Sequence, residues 1–315
     1  MLTRAPVIPS RRLLDRLRPA NGGVSGFLPA LKAYRGVTIA NGRANGAQTL
    51  GRLGPLEVRF AHTAVEVRRA QRLRYRVFYK EGGASADAAT KIARRDIDAF
   101  DSICDHLLVL DHSPGANGLR RGPAVVGTYR LLQQAVAERY GGFYSSAEFD
   151  IADLVARHPT LRFLELGRSC VLAPYRNKRT LELLWHGIGA YTAQNRPDVM
   201  IGCASLDGTD PESLKLPLSF LHHHARAPDN WHARALADRY VEMNRMPKEA
   251  IDPKAALRAL PPLIKGYLRL GAYIGDGAVI DHQFGTTDVL IVLPVAAIKA
   301  RYVAHFRGLD ERKAA

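Results

Sequence analysis

The order of apolar and polar positions predicts strands and helices that are interleaved along the chain. Thr63 to Glu66 has the capping-box pattern that opens a helix, which we expect to end near Phe78. The polar, glycine- and alanine-rich residues 80–95 predict a mobile loop. The other predicted elements are strands at Leu56–Phe60, His106–Leu110, Val125–Leu132, Arg162–Leu172, Val199–Ala204 and Asp288–Leu293, and helices at Thr180–Gln194, Leu216–His224 and Pro261–Leu270.

The first 54 residues differ in composition from the rest. They are rich in Arg, Gly, Asn, Pro and Ala without sustained periodicity, which predicts a mostly disordered basic segment. Within it, Ser10–Arg18 has the leucine spacing of a short interfacial helix, although a solvated basic tail fits equally well. The sequence therefore predicts three regions: a disordered segment at 1–54, one folded domain at 55–306 with a C-terminal extension of helix and strand, and a tail at 307–315.

The net charge indicates which kinds of partner the protein binds, and the cysteine content indicates in which compartment it lies. With 45 Lys and Arg against 30 Asp and Glu, the net charge of +15 predicts an acidic partner, either an acidic protein or an anionic membrane surface. No nucleic acid is expected, since zinc-finger, RNP and basic-heptad patterns are missing from the sequence. The three scattered cysteines and the lack of a membrane-spanning or signal-peptide pattern predict a cytoplasmic protein, with peripheral association at the inner face of the cytoplasmic membrane as an alternative.

Two charges lie inside an apolar run that should form a buried strand. Burial of Glu165 and Arg168 is costly unless the two are paired or used in chemistry. In a regular strand they would point to opposite faces, and Gly167 between them is well suited to a β-bulge that redirects one side chain. We interpret the two charges as functional, with a purely structural ion pair as the alternative.

Three aspartates, Asp96, Asp98 and Asp101, form a cluster at the end of the predicted loop. An EF-hand needs a following glycine and a distal glutamate, which are missing, so we expect no metal site. The cluster either caps a turn or forms an anionic wall that receives a cationic substrate. Arg130, in an apolar strand, needs a charged partner, and one of these aspartates is the obvious candidate.

A basic turn precedes the predicted helix at Thr180. Arg176, Lys178 and Arg179 lie where a helix amino terminus already favours anions, so the turn is a candidate phosphate cradle. An ordinary solvated basic turn is the alternative. Cys170 is an unfavourable nucleophile because it lies in a buried apolar strand without an adjacent histidine.

Four motifs in register resemble the acyl-homoserine-lactone synthases, which have the GNAT acyltransferase fold. As a whole, the chain is more similar to a sister family, the ornithine Nα-acyltransferases, which make lyso-ornithine lipid from a 3-hydroxyacyl-acyl-carrier protein. The resemblance covers Leu56 to Phe306. The shared motifs are Arg74–Phe78, Asp96–Asp101, Val126–Leu132 and Glu165–Val171, and the parts that favour the sister family are Phe163–Pro174, Pro261–Gly271 and Gly285–Val289.

This resemblance implies an α+β fold with a central twisted, largely antiparallel sheet, flanked by helices and bulged or splayed at its central strand. Glu165 is then the expected general base, held by Arg168. Asp98 and Asp101 would bind an ammonium group of ornithine, while Arg74 and Arg130 would order these aspartates or grip the substrate carboxylate. By resemblance, the residues that line the site are Arg74, Phe78, Asp98, Asp101, Arg130, Glu165 and Arg168.

The chain departs from the usual GNAT pattern after Val171, where the spaced glycines of the pyrophosphate loop are missing. This favours the 4′-phosphopantetheine arm of acyl-carrier protein as donor over coenzyme A, with no permanently bound cofactor. Arg176, Lys178, Arg179 and Thr180 are the residues expected to bind the arm or its carrier. The expected partners are acyl-carrier protein, L-ornithine and an anionic membrane surface. The alternatives are another acceptor amine, such as glycine, glutamine, lysine or a homoserine-type compound, and a non-catalytic module that binds membrane or carrier protein.

Overall fold

The computed structural model describes residues 49–116, 118 and 122–298. Their strands form one eight-stranded sheet in the order β1-β2-β3-β4-β5-β6-β8-β7. Adjacent strands run antiparallel except β5 and β6, which are parallel. The strands are β1 (Gly51–Leu53), β2 (Leu56–Phe60), β3 (Asp105–Asp111), β4 (Ala124–Gln133), β5 (Phe163–Val171), β6 (Val199–Asp207), β7 (Tyr273–Asp281) and β8 (Thr286–Pro294).

Helices cover both faces of the sheet, so its strands are apolar on both sides. Because side chains alternate along β5, Leu164 joins the core formed with α5 and α8, while Phe163 joins the core on the opposite face. This is the α+β arrangement with a largely antiparallel sheet that the sequence predicts. The helices are α1 (Ala64–Arg74, continued by a π-helix at Tyr75–Glu81), α2 (Ala88–Ala93), α3 (Gln134–Ala137), α4 (Ile151–Ala156), α5 (Lys178–Asn195), α6 (Lys215–Ala225), α7 (Pro253–Ala259) and α8 (Pro262–Leu270).

Some predicted boundaries differ from the observed ones. Strand β1 lies inside the segment expected to be disordered, and α2 lies inside the predicted loop at 80–95, where the Asp87 carboxylate caps it by accepting a 2.7 Å hydrogen bond from the N–H of Thr90. Strand β7 was not predicted, because Gly275 and Gly277 interrupt its alternation. The predictions for residues 1–48, including Ser10–Arg18, and for the tail at 307–315 lie outside the described residues. No helix in the described part of the chain is both long and apolar enough to cross a membrane.

Strands β5 and β6 pair over a short distance and then separate. Their parallel ladder begins at Phe163 and Val199 and ends at Glu165 and Ile201, although both strands continue well beyond it. At the end of the ladder the backbones are in close contact, since a Cβ added at Gly202 would collide with the carbonyl oxygen of Leu166. The gap that opens beyond this point lies in the middle of the sheet.

We expect Gly202→Ala to destabilise the fold by about 1–3 kcal/mol, because the new methyl group forces β5 and β6 apart. Denaturant unfolding monitored by circular dichroism measures the change. Gly167→Ala is the matched control, since a Cβ at Gly167 meets nothing within 4 Å. Equal unfolding midpoints for the two variants would contradict the close approach at Gly202.

Candidate active site

A cavity of about 610 Å³ occupies the gap between β5 and β6. Its wall includes Phe78 from the π-helix, Arg130 from β4, and Glu165 and Arg168 from β5. The turn between β7 and β8 closes another side with Phe284, whose ring packs edge-on against Phe78 with ring centroids 5.6 Å apart. The two charges of the central strand therefore line the same cavity.

A β-bulge interrupts β5 at the cavity. Thr128 and Arg130 of β4 pair with Cys170 and Gly167 of β5, so Arg168 and Ser169 together lie opposite a single β4 residue. The bulge predicted from Gly167 is confirmed, but the residue with left-handed backbone is Arg168, with φ of 51°. A non-glycine residue in this region is strained by about 1–3 kcal/mol and persists only when its surroundings hold it.

The surroundings of the Arg168 side chain supply that support. Its Nη2 donates to the Asp98 carboxylate at 3.3 Å and to the Tyr144 hydroxyl at 3.1 Å. Its guanidinium also lies over the rings of Tyr144 and Phe284, at 5.0 and 4.8 Å from their centroids. These two cation–π contacts help to hold the guanidinium at the cavity wall.

The Glu165 carboxylate is held by backbone amides. It is only 4% exposed and accepts hydrogen bonds from the N–H groups of Tyr144 at 2.8 Å and Ser145 at 2.7 Å. Burial raises the pKa of Glu165 above its ordinary value, while the two amides act in the opposite direction. The expectation that Arg168 holds Glu165 is wrong, because the bulge directs Arg168 toward Asp98.

The three clustered aspartates are neutralised by Arg74 of α1, Arg130 of β4 and Arg168 of β5. Arg74 donates to Asp96 at 2.8 Å and to Asp101 at 2.7 Å, and Arg130 contacts Asp98 at 2.5 Å and Asp101 at 3.2 Å. Burial disfavours the charge on Asp101, but Arg74 and Arg130 outweigh it and hold the pKa of its carboxyl well below the usual range. The aspartates thus form a buried ionic network.

This network corrects the predicted substrate role of Asp98 and Asp101. Neither lines the cavity, and their charges are already matched, so they position Arg130 and Arg168 and do not form a free anionic wall. Arg74 is fully buried and orders the aspartates, one of the two roles expected for it. Of the predicted substrate-binding residues, Phe78 and Arg130 reach the cavity.

The basic turn after β5 is divided between the cavity and the surface. Arg176 lines the cavity and contacts Glu81 at 2.6 Å. Lys178 and Arg179 are exposed in the first turn of α5, which begins two residues earlier than predicted. Thr180 was predicted to bind the phosphopantetheine arm or its carrier. This prediction is wrong, because Thr180 is fully buried and its N–H donates to the side chain of Asn177, the helix cap, at 3.1 Å.

A second group of carboxylates lines the cavity and was missed in the sequence. Glu148, Asp281 and Asp288 have carboxylate oxygens that lie within 4.8 Å of one another. Burial, together with the charge of Asp288, raises the pKa of Glu148 to about 7. Asp281 and Asp288 belong to the β7–β8 hairpin, whose first strand was not predicted, and Glu148 comes from a distant part of the chain.

Comparison with known proteins places the chain in a family. Residues 73–186 match the acetyltransferase (GNAT) domain family. The chain is 55% identical over 262 residues to the L-ornithine N(alpha)-acyltransferase of Agrobacterium fabrum, covering 83% of this chain and 88% of that protein. The chain belongs to the L-ornithine N(alpha)-acyltransferase family. A member from Rhizobium meliloti is 54% identical over 285 residues, covering 90% of this chain and 94% of that protein.

As a member of this family, the protein is an acyltransferase. Among solved structures, the acyl-homoserine-lactone synthase LasI aligns with a TM-score of 0.43 at 12% identity, covering 84% of this chain and 96% of LasI. The resemblance to the ornithine family inferred from the motifs is confirmed by the Agrobacterium fabrum and Rhizobium meliloti relatives, which match 83% and 90% of this chain.

Proposed function

We propose that the protein transfers a 3-hydroxyacyl group from acyl-carrier protein to the α-amine of L-ornithine, which gives lyso-ornithine lipid. The observation that carries this proposal is the buried carboxylate of Glu165 on the wall of a cavity between two separating strands. The names of the relatives support ornithine as acceptor. A non-catalytic binding module has no need of a buried, amide-held carboxylate at such a place.

Amide formation requires that the acceptor amine lose a proton. Glu165 takes it, directly or through one water, because burial raises the pKa of its carboxyl toward that of a useful base. The nitrogen then bonds to the thioester carbon, the C–S bond breaks, and the pantetheine thiolate leaves and takes up a proton. The backbone amides of Tyr144 and Ser145 keep the carboxylate in position throughout.

The bulge supplies a place for the thioester. Open space next to Gly167 leaves room for an extended pantetheine arm against the backbone of β5. The ladder with β6 has ended by this point and the ladder with β4 is interrupted at Arg168 and Ser169. We therefore assign the oxyanion of the tetrahedral intermediate to backbone N–H groups of this stretch.

Two features favour a carrier protein as the acyl donor: the net charge of the chain and the sequence of the loop before α5. The net charge of +15 favours association with an acidic carrier, since opposite charges accelerate encounter. The segment after Val171 lacks the spaced glycines of a pyrophosphate loop and leads into α5 through Arg176, Lys178 and Arg179. No permanently bound cofactor is needed for this chemistry. An anionic membrane surface, which would retain an amphiphilic product, is part of the same proposal.

Loss of the exposed cations at α5 should weaken carrier binding selectively. We expect Lys178→Ala with Arg179→Ala to raise the KM for acyl-carrier protein about tenfold at low ionic strength and to change kcat little. Steady-state kinetics at two salt concentrations measure this, because screening removes most of the difference. Arg258→Ala on α7 serves as an exposed control. An unchanged KM in the double variant would show that acyl-carrier protein binds at another surface.

The proposed function is tested with a panel of acceptors. Purified protein is mixed with 3-hydroxyacyl-carrier protein and ornithine, lysine, glycine, glutamine or homoserine lactone, and release of the carrier thiol is followed. We expect rapid release with ornithine and an amide on its α-nitrogen. Faster transfer to another amine would show that this amine is the acceptor. If no amine in the panel releases the carrier thiol, a non-catalytic binding module is favoured.

A further inference from the structure

The carboxylates of Glu148, Asp281 and Asp288 form an acidic end of the cavity. Glu148 and Asp288 are only 6% and 8% exposed, yet both line the cavity. Within the described chain, the nearest cation is Arg239, at 3.4 Å from Glu148, and no ion pair reaches Asp281 or Asp288. Arg239 is the one basic group that forms an ion pair with these three acidic groups in the described chain, so acidic side chains outnumber their basic partners at this end of the cavity.

Other partners of this acidic end are neutral. Thr286 donates its hydroxyl to Asp288 at 2.9 Å, and the thiol of Cys203 lies 3.2 Å from Glu148. Asp281 accepts backbone N–H groups at the turn between β7 and β8 through one oxygen, Oδ1. These contacts satisfy hydrogen bonds but do not compensate the charges. A cationic ligand would supply positive charge next to these carboxylates.

The acidic end is close to the proposed base. The N–H of Ser145 donates to Glu165, and the hydroxyl of Ser145 lies 3.4 Å from the Cys203 thiol, which contacts Glu148 in turn. Glu165 and Glu148 are therefore separated by two side chains along one wall of the cavity. A ligand with two amines on one short aliphatic chain carries one amine for each of these two carboxylates.

The guanidinium of Arg168 lines the same cavity. Nε of Arg168 is buried and makes no hydrogen bond to any described residue, and its nearest carboxylate oxygen, on Asp96, is 3.7 Å away. The Arg168 guanidinium is a cation on the cavity wall, where it attracts a carboxylate. An amino acid with a second amine carries a carboxylate for this wall and an ammonium for the acidic end.

Resting on the function proposed above, we propose that Glu148, Asp281 and Asp288 bind the side-chain ammonium of a diamino-acid acceptor and select it over amino acids with neutral side chains. The substrate carboxylate then lies toward Arg168 and the α-amine toward Glu165. A divalent cation is a poorer occupant, because Ca²⁺ takes six to eight oxygen ligands and one oxygen of Asp281 already accepts two backbone N–H groups.

The selectivity is tested by comparing L-ornithine with L-norvaline, which has the same carbon chain without the second amine. We expect Asp288→Asn to lower kcat/KM for ornithine about tenfold or more and to leave that for norvaline nearly unchanged, because only the charged hydrogen bond is lost. Asp153→Asn, an exposed aspartate on α4, is the control. An unchanged ratio of the two kcat/KM values in Asp288→Asn would overturn the proposal.

Thermal melting gives a second readout that does not depend on catalysis. We expect ornithine, but not norvaline, to raise the Tm of the wild-type protein by mass action and to raise that of Asp288→Asn much less. If the wild-type protein acylates no ornithine, the proposed function is wrong. The Tm shift still shows whether the three carboxylates bind the side-chain ammonium. Equal shifts in both proteins, or activity abolished by EDTA and restored by Ca²⁺ or Mg²⁺, would overturn the ammonium assignment.

Discussion

Replacing Glu165 with glutamine should lower kcat by about 10²- to 10⁴-fold while the fold is retained. Glutamine has nearly the same shape and its carbonyl oxygen still accepts one of the N–H groups of Tyr144 and Ser145, but it does not take a proton from an amine. Single-turnover transfer from the carrier thioester isolates this step from substrate binding. Glu249→Gln, at an exposed position, controls for the loss of one negative charge.

The pH dependence gives the same prediction an independent check. Since burial raises the pKa of Glu165, the wild-type rate should fall as the pH drops through that raised pKa and the base becomes protonated. The residual rate of Glu165→Gln should lack this acidic limb. A variant that keeps both near wild-type turnover and the acidic limb would show that another group takes the proton.

Arg74→Met should reduce the free energy of unfolding by about 3–5 kcal/mol, the largest stability effect we expect from one substitution. Methionine fills much of the same space but leaves Asp96 and Asp101, which are 2% and 4% exposed, without their shared cation. The loss would extend to the active site, because the same aspartates position Arg130 and Arg168. Denaturant unfolding measures the change in stability.

Arg72→Met is the matched control for this substitution. Arg72 lies on the same helix, two residues away, but its side chain is exposed, so its loss should change stability by less than about 0.5 kcal/mol. If Arg74→Met proves as mild as Arg72→Met, the buried network is not what holds α1 against the aspartates.

The sequence located the central strand and its base because charges in an apolar run are rare. Glu165 stands out between leucines, and Gly167 marks the bulge. The partner of each charge could not be predicted, since the left-handed backbone at Arg168 reverses the direction that simple alternation gives. In a regular strand the identity of the neighbour follows from spacing, whereas in a bulge it depends on tertiary contacts.

The roles of the aspartates were predicted wrongly for a related reason. Asp98 and Asp101 lie in one short motif, but the arginines that neutralise them come from α1, β4 and β5. The charge balance of a buried ionic network is a property of the fold, so it cannot be recognised from a local motif. The carboxylates of Glu148, Asp281 and Asp288 were missed because they, too, are brought together only by the fold.

The first residue of α5 also could not be predicted from the sequence. Threonine and asparagine both cap helices, and the sequence contains both within three residues. The structure selects Asn177 as the cap and buries Thr180 against the core, which removes it from any phosphate. Element type was predictable here from the apolar spacing, while the exact first residue was not.

The central claim is transfer of the acyl group to the α-amine of ornithine with Glu165 as base. The most direct measurement mixes stoichiometric 3-hydroxyacyl-carrier protein with the enzyme and L-ornithine, and follows the acyl group by mass spectrometry. We predict that wild-type protein moves the acyl group to the α-nitrogen within one turnover and that Glu165→Gln leaves it on the carrier over the same time. Equal transfer by both proteins, or transfer to the side-chain amine, would contradict this account.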